Sequence, residues 1–293
     1  MEPMDMGFKA WRKATLDRLN AESIVTTTPR GAVEYAVAGS GPAVLVLHGR
    51  PGGHDQGLVI ARTLNDPHLR FIAVSRPGYL RTPLGAGRSP EEQADTYAAL
   101  LDVLGVPQSG VVALSAGGPS ALQFALRHPD RCWGVVLIST LTQRIAGPAL
   151  GSRIMNAVWG SSDAVGWLWS GLAGCLPRSV ARRRSLELEL AQTLFLYSLR
   201  RAGIANDLIQ AVHLPRYPLS AIRQPALVIH GTADRFVPCS QAEFAAGAIP
   251  GAQLIRIPDG GHFVFFRQRH WLAPKILEFL KAHAPAGFSA GAA

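Results

Sequence analysis

Eight consecutive residues, Val111-Val112-Ala113-Leu114-Ser115-Ala116-Gly117-Gly118, restrict the fold more than any other stretch of this chain. Apolar and β-branched residues, which suit a buried strand, run straight into a serine, and small residues follow at once. A strand that stops at a serine and turns directly into a helix holds that hydroxyl on a tight bend at the strand's carboxyl end. Such a bend calls for residues with almost no side chain two before and two after the serine, because strand and helix backbones nearly touch. Gly117 meets the second requirement and Ala113 approximates the first. The pattern makes Ser115 a candidate nucleophile, although a serine at any strand-to-helix turn can also be a plain helix N-cap.

The surrounding pattern gives that bend a setting. Residues 23–28 and 32–38 read as two strands joined by the turn Pro29-Arg30-Gly31, a hairpin edge. Residues 43–47 form a continuous apolar run, as expected for a strand covered by helices on both faces. From there strands over 71–75, 110–114, 133–139, 226–230 and 253–257 alternate with helical patterns over 56–65, 90–104, 119–127, 241–248 and 267–282. Alternation of this kind predicts an α/β fold, a mostly parallel eight-stranded sheet with right-handed crossovers and helices on both faces. It stops between Thr140 and Ile222, where the sequence turns helical and aromatic. Insertions and ligands collect at the carboxyl ends of parallel strands, so this segment is expected to lie over the site as a cap. The expected division is a helical extension over 1–22, a core over 23–140 and 223–284, a helical cap over 141–222 and a flexible tail over 285–293.

Composition narrows the function. At 293 residues, 48% hydrophobic and 17% charged, the chain can bury a large core. Its net charge of +9 invites a nucleic-acid reading. The basic residues are scattered, however, apart from Arg182-Arg183-Arg184 and the neighbourhood of Arg267 and Arg269, and no stacking aromatics or zinc spacing accompany them. A solvated basic surface is the expectation, with no nucleic-acid partner. Cys132, Cys175 and Cys239 are widely spaced and lack a CxxC pair, so they read as reduced structural thiols without a metal site. Residues 1–20 lack the apolar run of a secretory signal, which suggests a cytoplasmic protein. The apolar stretch 154–176 carries Asp163 as its sole charge but is broken by glycines, so a buried or interfacial helical pair is expected there and no stable membrane insertion.

A serine hydroxyl is a weak nucleophile at neutral pH and needs a histidine to take its proton and a carboxylate to orient that histidine. Asp234 lies in the loop just after the strand over 226–230, and His262 in the loop after the strand over 253–257. The carboxyl ends of those strands share one sheet edge with the end of the Ser115 strand, so the three side chains can converge. Attack on a carbonyl also creates an oxyanion that backbone N–H groups must meet. The glycine-rich loop His48-Gly49-Arg50-Pro51-Gly52-Gly53 follows a strand, and the N–H groups of Arg50 and Ala116 are the expected donors.

With these segments in order, the chain resembles the α/β-hydrolase fold superfamily from about residue 23 to residue 283. The resemblance rests on HGRPGG (48–53), SRPGYLRT (75–82), ALSAGG (113–118), HGTADRFVP (230–238) and GGHF (260–263). It implies Ser115 as nucleophile, Asp234 as orienting acid and His262 as base, in the family's chain order. Ala113 departs from the usual elbow, where glycine stands. Among rival residues, His48 in similar proteins braces the oxyanion loop, Asp259 suits a turn, and Asp207 reads as structural. Ser139 and Thr140 occupy the place where some relatives carry the acid.

The expected activity is that of a cofactor-free and metal-free serine hydrolase cleaving a small to medium apolar carboxylic ester or lactone through an acyl-enzyme. Trp159, Trp167 and Trp169 are candidate substrate contacts, which would favour an apolar partner, and are otherwise core residues of a helical lid. The likeness of HGRPGG to the HGGPG loop of proline iminopeptidases suggests an aminopeptidase alternative, with Glu187 and Glu189 as candidates for the substrate amine. Carbon–carbon bond hydrolysis can use the same triad. A binding protein that retains the triad without turnover is the reading from a different class.

Overall fold

The computed structural model describes residues 7–145, 162–174 and 185–285. Its sheet contains β1 (Ile24–Thr28), β2 (Gly31–Ala38), β3 (Ala43–Leu47), β4 (Arg70–Val74), β5 (Ser109–Leu114), β6 (Cys132–Ile138), β7 (Ala226–Gly231) and β8 (Gln253–Ile257). The spatial order is β1-β2-β4-β3-β5-β6-β7-β8. The β1–β2 hairpin turns between Thr28 and Gly31, β2 runs antiparallel to β4, and all later pairings are parallel.

β3, β5 and β6 are buried along their whole length. Successive side chains leave a strand on opposite faces, so continuous apolar runs divide between two cores. Leu45, Leu47, Val111, Ala113, Val135 and Leu137 join a cluster covered by α3 (Pro90–Val103) and α4 (Gly118–Arg127). Val44, Val46, Val112, Leu114, Val136 and Ile138 join the cluster on the other face, covered by α2 (His54–Leu64) and by α10 (Arg269–His283). The sequence around α3 fixes its start: Ser89 accepts from the Glu92 N–H at 3.2 Å, the Glu92 carboxylate accepts from the Ser89 N–H at 3.0 Å, and Pro90 opens the helix.

α1 (Phe8–Ala21) precedes the sheet, and between β6 and β7 lie α5 (Asp163–Gly174), α6 (Ser185–Gln192) and α7 (Arg201–His213). α1 packs on the inserted segment: Trp11 meets Phe195 edge-on at 5.9 Å, Phe8 meets Trp167 at 6.2 Å, and the Arg12 guanidinium reaches Asp163 at 3.1 Å. α8 (Ser240–Ala248) and α9 (Val264–Arg267) complete the layers. Among the described residues no helix is long and apolar enough to cross a membrane. Cys132 is buried and Cys239 half-buried, both as free thiols. Cys175, Arg182 to Arg184 and Trp159 lie outside the described residues, as do parts of the expected cap, extension and tail.

Candidate active site

Ser115 follows the last residue of β5 and takes a left-handed backbone conformation, φ 52°, which is costly for a residue with a side chain. What holds the bend tight is the neighbouring strand as much as the residue's own. A Cβ added at Gly117 would sit 2.6 Å from the carbonyl oxygen of Leu47 at the end of β3, and one at Gly49 would sit 3.0 Å from the Ser115 Cβ. Smallness at position 117 is thus imposed by the β3 end. Ala113 is fully buried in register with Leu47 and Leu137, and a methyl is accommodated there.

The three side chains expected to converge do so. His262 Nε2 lies 3.0 Å from Ser115 Oγ, and His262 Nδ1 lies 2.7 Å from Asp234 Oδ2. A carboxylate only accepts, so Nδ1 carries the proton and Nε2 turns its lone pair to the serine. The other carboxylate oxygen, Asp234 Oδ1, accepts from the N–H groups of Phe236 at 2.8 Å and Val237 at 2.9 Å. Burial alone would push Asp234 up. Hydrogen bonds from His230, His262 and the Val237 N–H outweigh it and hold the carboxyl well below the usual range. Phe236 and Phe263 flank the His262 ring, with centroids 5.1 Å and 5.4 Å away.

The loop over 48–53 abuts Ser115 and is braced from several sides. His48 Nδ1–H donates to the Gly49 carbonyl at 2.7 Å, and its Nε2 accepts from the Arg76 N–H at 3.0 Å. Burial, with the Arg76 charge beside it, drives His48 well below the usual imidazole range, which fits this neutral role. Gln56 Oε1, in α2, accepts from the Gly49 N–H at 2.8 Å, so that N–H is already committed. The Gln56 amide also donates to the Pro51 carbonyl at 3.2 Å and to Thr193 Oγ1 at 3.3 Å. Arg76, inside the SRPGYLRT segment, donates from Nε to the His48 carbonyl at 2.9 Å. Its remaining nitrogens reach Asp207 at 2.9 and 2.5 Å, and Tyr79 donates its hydroxyl to the same carboxylate at 2.6 Å. Asp207 is therefore structural in the sense expected. The bracing role of Arg76 and the His230 contact carry no signal in the sequence beyond membership of the recognised motifs, and that of Gln56, in α2, carries none.

Trp167 is half-buried against Phe8, and Trp169 is 42% exposed. Glu189 pairs with Arg62 at 3.2 Å.

A mostly parallel eight-stranded sheet with helices on both faces and a strand-to-helix serine at its carboxyl edge defines the hydrolase class of α/β fold. A family model for the alpha/beta hydrolase fold matches residues 42–163 and 150–268, and the chain belongs to that family. It is 29% identical over 273 residues to the uncharacterized hydrolase YcgS of Bacillus subtilis (strain 168), covering 85% of this chain and 92% of that protein. A 2-hydroxy-6-oxononadienedioate/2-hydroxy-6-oxononatrienedioate hydrolase of Burkholderia vietnamiensis (strain G4 / LMG 22486) is 28% identical, with 85% and 91% covered. Among solved structures, an alpha/beta hydrolase fold protein from Nakamurella multipartita superposes with a TM-score of 0.74 at 35% identity, covering 89% of this chain and 99% of that one.

Proposed function

We propose that this alpha/beta hydrolase is a cofactor-free serine hydrolase that cleaves a small to medium apolar carboxylic ester or lactone. The observation that carries the reading is the continuous line Ser115 Oγ–His262 Nε2, His262 Nδ1–Asp234 Oδ2 at 3.0 and 2.7 Å. His262 takes the Ser115 proton as Oγ attacks the carbonyl carbon, and Asp234 stabilises the imidazolium that forms. The N–H groups of Arg50 and Ala116 receive the oxyanion. The same His262 proton then passes to the leaving alkoxide, leaving an acyl-Ser115, and water activated by His262 releases the acid. The aromatic pair Phe236 and Phe263 beside His262 supports an apolar substrate. We assign residues 141–222 as the cap, a reading supported by the contacts of Thr193, Arg200 and Asp207 with the core.

Carbon–carbon bond hydrolysis is the second reading, favoured by the 28% identity to the Burkholderia hydrolase. The aminopeptidase alternative would call on Glu187 and Glu189 for the substrate amine, and of these Glu189 pairs with Arg62 at 3.2 Å at the surface. Turnover is tested with a chromogenic short-chain ester: Ser115→Ala is expected to remove nearly all activity while the far-UV spectrum stays unchanged, and undiminished turnover refutes the proposal. Intact mass after a fluorophosphonate probe is expected to rise by one adduct, located at Ser115, and absence of labelling would favour a binding protein. A panel of esters, lactones, aminoacyl amides and 2-hydroxy-6-oxo-dienoates then separates the substrate classes.

A further inference from the structure

His230 is the penultimate residue of β7, its side chain completely buried, four residues before Asp234. Its Nε2 lies 2.9 Å from the Val237 carbonyl oxygen and 3.3 Å from Asp234 Oδ2. Its Nδ1 is buried with no hydrogen-bond partner. An orphaned buried N–H is costly, whereas an orphaned lone pair is less so. The proton therefore belongs on Nε2, where both neighbours are acceptors. The one Nε2–H points chiefly at the Val237 carbonyl with Asp234 Oδ2 as a longer second acceptor, while the Val237 N–H donates to Asp234 Oδ1 at 2.9 Å, which closes a ring around the carboxylate. The carboxylate is held at both oxygens, with His262 and His230 sharing Oδ2.

We infer that His230 is a positioning residue for the triad: it fixes the rotation of the Asp234 carboxylate and draws off part of the charge that Oδ2 presents to His262. The inference rests on the serine-hydrolase reading above. The titratable groups facing Asp234 are His230 and His262, with Cys239 further out, its thiol pushed up by burial and by Glu243 and Asp234. No lysine or arginine shares that carboxylate among the described contacts.

Glutamine and methionine test this cleanly, since both reach as far as Nε2 from the backbone but only glutamine carries a donor there. His230→Met is expected to lower kcat roughly tenfold to a hundredfold with KM little changed, the scale of one lost hydrogen bond to a charged group. It is also expected to move the acid limb of the kcat/KM profile to higher pH, because a less neutralised Asp234 holds the proton on His262 more strongly. His230→Gln is expected to restore most of both properties. Wild-type kcat and acid limb in His230→Met overturn the inference, as does equal impairment of both variants with the acid limb unmoved, which is what a merely structural residue would give. Nitrogen-15 spectra of histidine-labelled wild-type protein, with His230 assigned by its loss in His230→Gln, provide a check that needs no folded methionine variant. The Nε2–H tautomer is expected, and the Nδ1–H tautomer overturns the inference. Fluorophosphonate labelling of the wild type reports separately on the serine reading: failure there strikes that reading, while a labelled enzyme indifferent to His230→Met strikes only this one.

Discussion

Replacing Asp207 by asparagine keeps the side chain's shape and removes its charge. Arg76 is 1% exposed and Asp207 7% at the side chain, and the pair is bidentate, so neither charge is screened by solvent. An asparagine amide can accept one guanidinium N–H but presents its own N–H groups to the other. One charge-assisted hydrogen bond is lost, worth about 1.5–3 kcal/mol, and the buried Tyr79 hydroxyl competes for the one remaining acceptor, at about 1–3 kcal/mol if left unpaired. The expected destabilisation is about 3–5 kcal/mol, in line with breaking a buried pair from one side. Urea unfolding should show a lowered midpoint with an unchanged slope. Because Arg76 also donates to the His48 carbonyl and its N–H bonds His48 Nε2, loosening it should disturb the loop over 48–53 and lower kcat more than it raises KM. The double variant Arg76→Met with Asp207→Leu removes both charges, so it should regain part of the lost stability without regaining kcat, since the His48 carbonyl still lacks its donor. An Asp207→Asn enzyme within about 1 kcal/mol of wild type, or a double variant that recovers full kcat, refutes the argument.

Two further outcomes are expected. Glu34 is 1% exposed and accepts from Arg81, Ser75 and Ser23. Burial would raise it, but contacts with His54 and Arg81 win and lower it from 4.5 to about 2. A depressed carboxyl contributes stability above its unfolded value and loses it as pH falls through the folded one. About 3 kcal/mol should therefore disappear between pH 4.5 and 2, and Glu34→Gln should flatten that acid slope in denaturation measurements made across it. At the elbow, Ala113→Gly should cost about 1 kcal/mol and keep turnover, whereas Ala113→Val, forced into a fully packed site between β3 and β6, should cost about 1–3 kcal/mol and lower kcat. A fully active, equally stable valine variant would show that the elbow has room.

The sheet was legible because burial on both faces erases alternation: Ala43–Leu47 and Cys132–Ile138 read as unbroken apolar runs, and each lies inside the sheet. The convergence of Ser115, Asp234 and His262 was legible because parallel strands end at one edge, so a residue just after a strand has its place set by topology. The bracing was not. Arg76 and Asp207 are 131 positions apart, and Arg200 and Asp55 are 145 apart. Periodicity names no partner for a charge so far along the chain, and only that distant partner makes its burial tolerable. The aromatic face of α1 meets Phe195 and Trp167 of the inserted segment, a choice that helical periodicity does not express.

Those hidden contacts bear on the setting of Ser115. Thr193 touches Gln56, Arg200 is clasped by Asp55, and Asp207 by Arg76, so three points of the chain between β6 and β7 are tied to residues flanking the loop over 48–53. Backbone bonds from the Leu80 N–H to the Leu199 carbonyl at 2.8 Å and from the Gly203 N–H to the Gly78 carbonyl at 2.9 Å run alongside. Lifting residues 193–207 as a unit would break both buried ion pairs together. These ties hold this part of the chain against the core beside the loop over 48–53. Through Arg76 and Gln56 the same ties reach the His48 carbonyl and the Gly49 N–H, which is why changes in α7 are expected to register at the reacting atoms.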